Sequence, residues 1–139
     1  MKVLVIDGQG GRLGQLLCEA IVKEKIECSL IAAGTNSTAT NSMIKAGASK
    51  GATGENPVKV LSRDADVIIG PVGIISADSL LGEITPEMAA AVGQSSAVKI
   101  LLPVNHCKTL VAGVRQMSMN EMVCEAVQML KNLPEGRCR

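Results

Sequence analysis

The chain contains no phenylalanine, tyrosine or tryptophan in its 139 residues. That absence removes whole classes of function. No base can stack on an aromatic ring, as RNA-reading sheets and single-strand grooves require. No aromatic cage can hold a quaternary cation. No tyrosine can act as acid or base, which excludes a short-chain dehydrogenase of the Tyr-x-x-x-Lys kind. Histidine is nearly absent too: His106 is the only one. Paired with Cys107 it falls short of four zinc ligands, so no metal is expected. Charge of one sign is also missing. Fourteen basic residues face 13 acidic ones, for a formal charge of +1. That balance supplies no electrostatic reason to expect nucleic acid or an acidic membrane surface. The apolar runs are too short to span a bilayer, and the residues after Lys2 do not read as a signal peptide. The five cysteines are odd in number and none are spaced C-x-x-C. A reducing cytoplasmic setting is therefore expected, with Cys18 and Cys124 as small core residues.

What is present is apolar and rich in glycine. Hydrophobic residues make up 47% of the chain and glycine adds 14 more, while charged residues are only 19%. Such a chain is long enough for one domain, 1–139, and can bury a sizeable core. Its apolar period switches repeatedly. Lys2-Val-Leu-Val-Ile-Asp7 is a nearly continuous apolar run ending at glycine, the pattern of a parallel strand buried on both faces. Leu13, Leu16, Leu17, Ala20 and Ile21 recur at helical spacing and predict a helix over 11–25. Further strands are predicted at 28–33, 66–71, 98–103 and 110–114. Further helices are predicted at 38–46, 74–82 and from Thr85-Pro86-Glu87 to Gly93. The last helix opens on Ser118 and Glu121, a capping box, and Pro134 closes it. Residues 48–63 read mostly as loop, because they are rich in glycine and contain Pro57, with a short strand or helical turn at 58–61 as the alternative. The alternation predicts an α/β fold: a doubly wound five-stranded parallel sheet of order 3-2-1-4-5 with helices on both faces.

The turns after these strands carry the candidate site. Gly8, Gly10, Gly11 and Gly14 fall between the first strand and the first helix. Phosphate binds at this turn in such sheets, because glycine lets backbone N–H groups approach and the helix N-terminus adds positive partial charge. The register is Gly-x-x-Gly-x-x-Gly, and Leu13 stands where a Gly-x-Gly-x-x-Gly loop has its last glycine. A turn that only tightens strand-helix packing is the alternative. At the end of the second strand, Gly34, Thr35, Asn36 and Ser37 offer hydroxyls and an amide in place of the usual ribose-gripping acid. This favours NADP over NAD, or another phosphorylated nucleotide, with helix capping as the plain alternative. Gly70, Pro71 and Gly73 follow the third predicted strand, and Asn105, His106 and Cys107 follow the fourth. His106 could serve as a general acid, although a lone surface histidine explains it as well. Asp64, Asp66, Asp78 and Glu83 have no paired-carboxylate spacing and read as solvated or capping residues.

The run Gly8 to Gly14 resembles the nucleotide loop of dihydrodipicolinate reductases, which binds a reduced nicotinamide dinucleotide. That resemblance implies a phosphate contact for Arg12, whose alternative is a solvated charge in a first helical turn. Over nearly its whole length the chain resembles an uncharacterised bacterial family of small Rossmann-like proteins of unknown function. The runs carrying this are 5–11, Gly34 to Ser37, 51–56, 65–71 and 82–86. The resemblance implies a nucleotide-type fold and a prokaryotic setting, without an activity. Three functions follow as expectations. The first is a nucleotide-binding module for sensing or delivery, or as a subunit. The second is a small NADP-dependent oxidoreductase. The third is a structural oligomer without ligand. A homo-oligomer, most simply a dimer through the last helix and 74–92, would cover surplus apolar surface.

Overall fold

A computed structural model describes residues 1–104 and 109–134. Five strands form one parallel sheet: β1 (Lys2–Asp7), β2 (Ser29–Gly34), β3 (Lys50–Thr53), β4 (Val67–Pro71) and β5 (Val98–Leu102). Their order across the sheet is β3-β2-β1-β4-β5, and every neighbouring pair is parallel. This is the expected Rossmann-like order. The helices are α1 (Arg12–Lys23), α2 (Ser37–Lys45), α3 (Glu55–Asp64), α4 (Pro86–Gln94) and α5 (Met119–Lys131). A single 3₁₀ turn, Val72–Ile75, follows β4.

Alternate residues of each central strand supply two cores. Val3, Val5, Ala32, Val67 and Ile69 pack with Leu13, Leu17 and Ile21 of α1, Met43 of α2 and Val123, Val127 and Leu130 of α5. Leu4, Ile6, Ala33 and Ile68 pack on the other face with Val58 of α3, Met88 and Val92 of α4, and Ile74, Leu80 and Ile84. Each fully buried Val, Leu, Ile or Met side chain among these contributes roughly 1.5–3 kcal/mol. Both faces are covered, which is why β1 and β4 read as unbroken apolar runs. The capping chemistry also matches. Thr85 caps α4 with Pro86 in its first turn, and Ser118 and Glu121 form the box that opens α5.

The segments that supply the strands differ from the reading above in three places. Residues 48–63 hold β3 and α3 instead of loop. β3 is a short edge strand whose four residues are exposed or half-exposed, so it carries no apolar alternation. Pro57 sits in the first turn of α3, where its missing N–H is one that no helix would pair. Residues 110–114 are not a strand. Leu110 is 95% exposed and Val111 and Val114 are exposed too, so their apolar character is not used in the sheet. The predicted helix at 74–82 is the 3₁₀ turn followed by consecutive turns. In these turns Asp78, Leu80, Leu81 and Gly82 take left-handed backbone angles. Finally, Cys18 is buried as expected, but Cys124 lies on the outer, exposed side of α5.

Candidate functional site

The carboxyl ends of β1, β2 and β4 lie side by side: Asp7 stands opposite Gly34, and Val5 opposite Ile69. The glycine turn follows β1 at this edge. The Gly11 N–H donates to the Gly8 carbonyl at 2.9 Å, and Gln9 and Gly11 adopt φ of 50° and 73° to make the turn. Helix α1 starts directly afterwards with no side-chain cap from Gly11. Among the described residues, none accepts a hydrogen bond from the N–H groups of Gly10, Arg12 or Leu13. Gly10 and Arg12 are exposed at this helix end. Three donors at the positive end of a twelve-residue helix are therefore left without an acceptor among the described residues, two of them on exposed residues and one on buried Leu13.

Two carboxylates take the other donors of this turn. Asp7, buried at the end of β1, accepts from Gly8 N–H at 2.8 Å and from Gly14 N–H at 2.7 Å. It thereby caps α1 from the strand. Burial pushes its carboxyl above the ordinary aspartate range; the bonds from Gly14 and Gly8 oppose this, and the nearby charge of Glu83 adds to it. Glu83 reaches across from the segment after β4. Its Oε1 accepts from Gln9 N–H at 3.1 Å, from Thr35 Oγ1 at 2.7 Å and from Asn36 Nδ2 at 2.7 Å. Its Oε2 has a single partner, Gln9 N–H at 3.2 Å. Desolvation is the largest influence on Glu83 and acts upward. The bonds from Thr35, Asn36 and Gln9 together outweigh it and hold the carboxyl below the ordinary glutamate range. Asn36 also donates to the Gln9 carbonyl at 2.9 Å, and its Oδ1 accepts from Ala39 N–H at the start of α2. The turns after β1, β2 and β4 are thus knitted into one polar cluster.

Packing accounts for most of the glycines. A Cβ on Gly11 would lie 2.6 Å from Ala39 Cα, on a backbone already left-handed. One on Gly14 would meet Met43 Sδ at 2.6 Å, and one on Gly8 would meet Thr35 Oγ1 at the same distance. A Cβ on Gly34 would strike Thr40, and one on Gly70 the Ile6 carbonyl oxygen of the neighbouring strand. Gly73 is looser, with Ser79 Oγ at 3.0 Å. Gly10 alone in the turn faces open space within 4 Å.

Beside the turn opens a cleft of about 680 Å³, lined by Gln9, Val72, Gly73, residues 75–81 and Thr109. It lies between the turns that follow β1 and β4, where the strand order reverses and where open α/β sheets hold ligands. Asp78 is the one ionisable side chain among its described lining residues. Cys18 is no nucleophile for this site: burial chiefly, with the charges of Asp7, Cys28 and Glu19, pushes its thiol up to about 12.

Of the expected site residues, Gly8 to Gly14 and Gly34 to Asn36 are brought together, with Ser37 exposed at the first position of α2. Gly70 and Pro71 are buried at the end of β4, so they support the cleft from below, and Gly73 lines it. Asn105, with His106 and Cys107, lies outside the described residues. Sequence reasoning missed Glu83. Its sequence neighbours explain it as a solvated or capping residue, and its partners Thr35 and Asn36 are 48 and 47 positions away. Asp7 left a fainter signal, an acid closing a strand buried on both faces.

The chain belongs to a family described as a domain of unknown function, DUF3842, which matches residues 2–135. No curated protein and no solved structure matches it.

Proposed function

We propose that the protein is a nucleotide-binding module that takes a phosphate-bearing nucleotide across the carboxyl edge of its sheet. The observation that carries this reading is the set of unpartnered N–H groups of Gly10, Arg12 and Leu13 at the N-terminus of α1, beside the cleft of about 680 Å³. Phosphates meet these donors, and Arg12 is exposed next to them. The adenosine ribose lies over Thr35 and Asn36, and the rest of a dinucleotide extends past Gln9 into the cleft. NADP and NAD are the first ligands to test. The cleft brings one carboxylate, Asp78, and otherwise Gln9 with small or apolar side chains, which suits holding a ligand for sensing, delivery or use by a larger assembly more than turning it over. A dimer belongs to the same proposal. Ile75, Leu81, Leu110 and Val111 are exposed, and a groove of about 290 Å³ between β5 and α5 is lined by Met117, Met122 and Met129.

Calorimetry with NADP, NAD, ATP and GTP tests the binding. The protein lacks tryptophan and tyrosine, so the absorption band of a co-purified adenine would dominate its ultraviolet spectrum. The discriminating variant is Gly10→Val. A Cβ added at this exposed position meets nothing within 4 Å, so stability should stay within about 0.5 kcal/mol of the parent while the side chain blocks the phosphate donors and binding is lost. Gly11→Val cannot make this distinction, because it collides with Ala39 in the fold itself. A second reading, a ligand-free packing role for the turn, is favoured by two facts. Packing explains Gly8, Gly11, Gly14, Gly34 and Gly70. Asp7 and Glu83 already take the N–H groups of Gly8, Gln9 and Gly14. Absence of heat with all four nucleotides, together with a spectrum free of adenine, would establish that second reading.

A further inference from the structure

We infer that Glu83 sets the ribose preference of this site, selecting a dinucleotide with a free 2′-hydroxyl over one with a 2′-phosphate. The inference rests on the nucleotide-binding reading and adds the ligand class to it. Thr35, Asn36 and Ser37 can all donate hydrogen bonds, which is why the sequence favours a 2′-phosphate. In the folded chain the donors of Thr35 and Asn36 are already committed, and Ser37 is exposed at the first position of α2. The single hydroxyl hydrogen of Thr35 goes to Glu83 Oε1 at 2.7 Å. The two amide hydrogens of Asn36 go to Glu83 Oε1 at 2.7 Å and to the Gln9 carbonyl at 2.9 Å. The Asn36 oxygen is committed to Ala39 N–H at 2.9 Å. Neither side chain has a hydrogen left for a phosphate.

What the cluster does have left is acceptor capacity. A carboxylate offers about four lone-pair sites. Oε1 of Glu83 takes three donors, whereas Oε2 takes only the Gln9 N–H at 3.2 Å. Glu83 is only half-buried, so Oε2 can receive a ribose hydroxyl. The position is also right. In dinucleotide-binding sheets the ribose acid sits at the end of the second strand, and Glu83 is tied to Thr35 and Asn36 directly after β2. The acid that β2 does not carry is delivered from the segment after β4. Four hydrogen bonds from three residues fix its geometry, so no rotamer has to be frozen when ligand arrives. A 2′-phosphate brought to the same place meets a negative carboxylate, with Asp7 close enough to couple to it, and finds no free donor in Thr35 or Asn36.

The test is calorimetry of the full chain with NAD and NADP, and with ADP-ribose to remove any part played by nicotinamide. The parent protein should bind NAD and ADP-ribose at least about tenfold more tightly than NADP. Glu83→Gln should narrow that ratio to near unity, because the amide removes the charge and supplies a donor. Equal or tighter binding of NADP by the parent overturns this inference and leaves the nucleotide-binding reading standing. A ratio unchanged in Glu83→Gln does the same. Binding of none of the three by the folded parent overturns this inference, and the nucleotide-binding reading falls with it when ATP and GTP give no heat either. Thermal unfolding of Glu83→Gln shows whether the variant is folded; where it is not, the parent's own ratio decides.

Discussion

The carboxyl edge of the sheet has two unlike halves. On the side of β1 and β2 the turns are polar and closed. Asp7 and Glu83 take the N–H groups of Gly8, Gln9 and Gly14, and four glycines let elements approach within contact of one another. On the side of β4 the turns over residues 72–82 are open and largely apolar. Leu81 is 96% exposed, and Asp78, Leu80 and Leu81 hold left-handed angles that side chains with a Cβ rarely adopt. The first half is preorganised, because Asp7, Glu83, Thr35 and Asn36 hold one another and the N–H groups of Gly8, Gln9 and Gly14 in place before any ligand arrives, leaving those of Gly10, Arg12 and Leu13 without an acceptor among the described residues. The second half keeps exposed apolar surface and backbone strain, the combination expected where a ligand or partner is to be accommodated. Glu83 joins the halves: it follows the strained turn and ends in the polar cluster.

The largest effect should come from breaking the packed half. Gly11→Val forces a β-branched residue to a φ of 73° against Ala39, and should cost about 3 kcal/mol or more in urea denaturation. A loss below about 1 kcal/mol would mean that this turn is not packed as described. Asp7→Asn comes next. The amide keeps one acceptor but turns a donor toward Gly8 or Gly14, for a loss of about 2 kcal/mol by the same measurement.

The pH dependence separates the two carboxylates by sign. Glu83 is held below its ordinary range, so its ionised form contributes stability above that range and loses it as pH falls through the lowered value. The stability gap between the parent and Glu83→Gln should therefore shrink on acidification, as read by unfolding across a pH series. Asp7 acts in the opposite sense. Its carboxyl is raised, so its contribution is full below the ordinary aspartate range and is lost as pH rises through the raised value. A gap for Glu83→Gln that widens toward acid would contradict the hydrogen bonding described for this group. The smallest effect probes the open half. Leu81→Asn gives up no burial and places a residue that tolerates left-handed angles, so it should stabilise by about 0.5–1 kcal/mol and raise Tm.

Much of this architecture is legible before any coordinates. Lys2 to Asp7 and Val67 to Pro71 announce themselves because parallel strands buried on both faces need continuous apolar residues. Thr85 with Pro86, and Ser118 with Glu121, mark helix starts because the first-turn N–H groups must find acceptors nearby in the chain. These are local demands, and local sequence answers them. The edge strand Lys50–Thr53 answers no such demand. Its residues are largely exposed and half of its backbone edge faces outward, so it is a strand only because β2 lies beside it. The apolar residues 110–114 mislead for the converse reason: apolar character permits a strand, but only an available sheet neighbour makes one.

The candidate site divides along the same line. That a glycine-rich turn would stand between the first strand and the first helix, at the edge where α/β sheets bind ligands, was determined by sequence alone, since strand, turn and helix are contiguous. Which glycines serve the packing was decided by the tertiary structure, because Ala39, Met43 and the Ile6 carbonyl come from other elements. The same holds for the acid at the ribose position. Thr35 and Asn36 read as donors to a ligand so long as they are considered by themselves. Only the fold carries Glu83 across 48 positions to take those donors, and a hydrogen bond between residues so far apart has no counterpart in the local sequence.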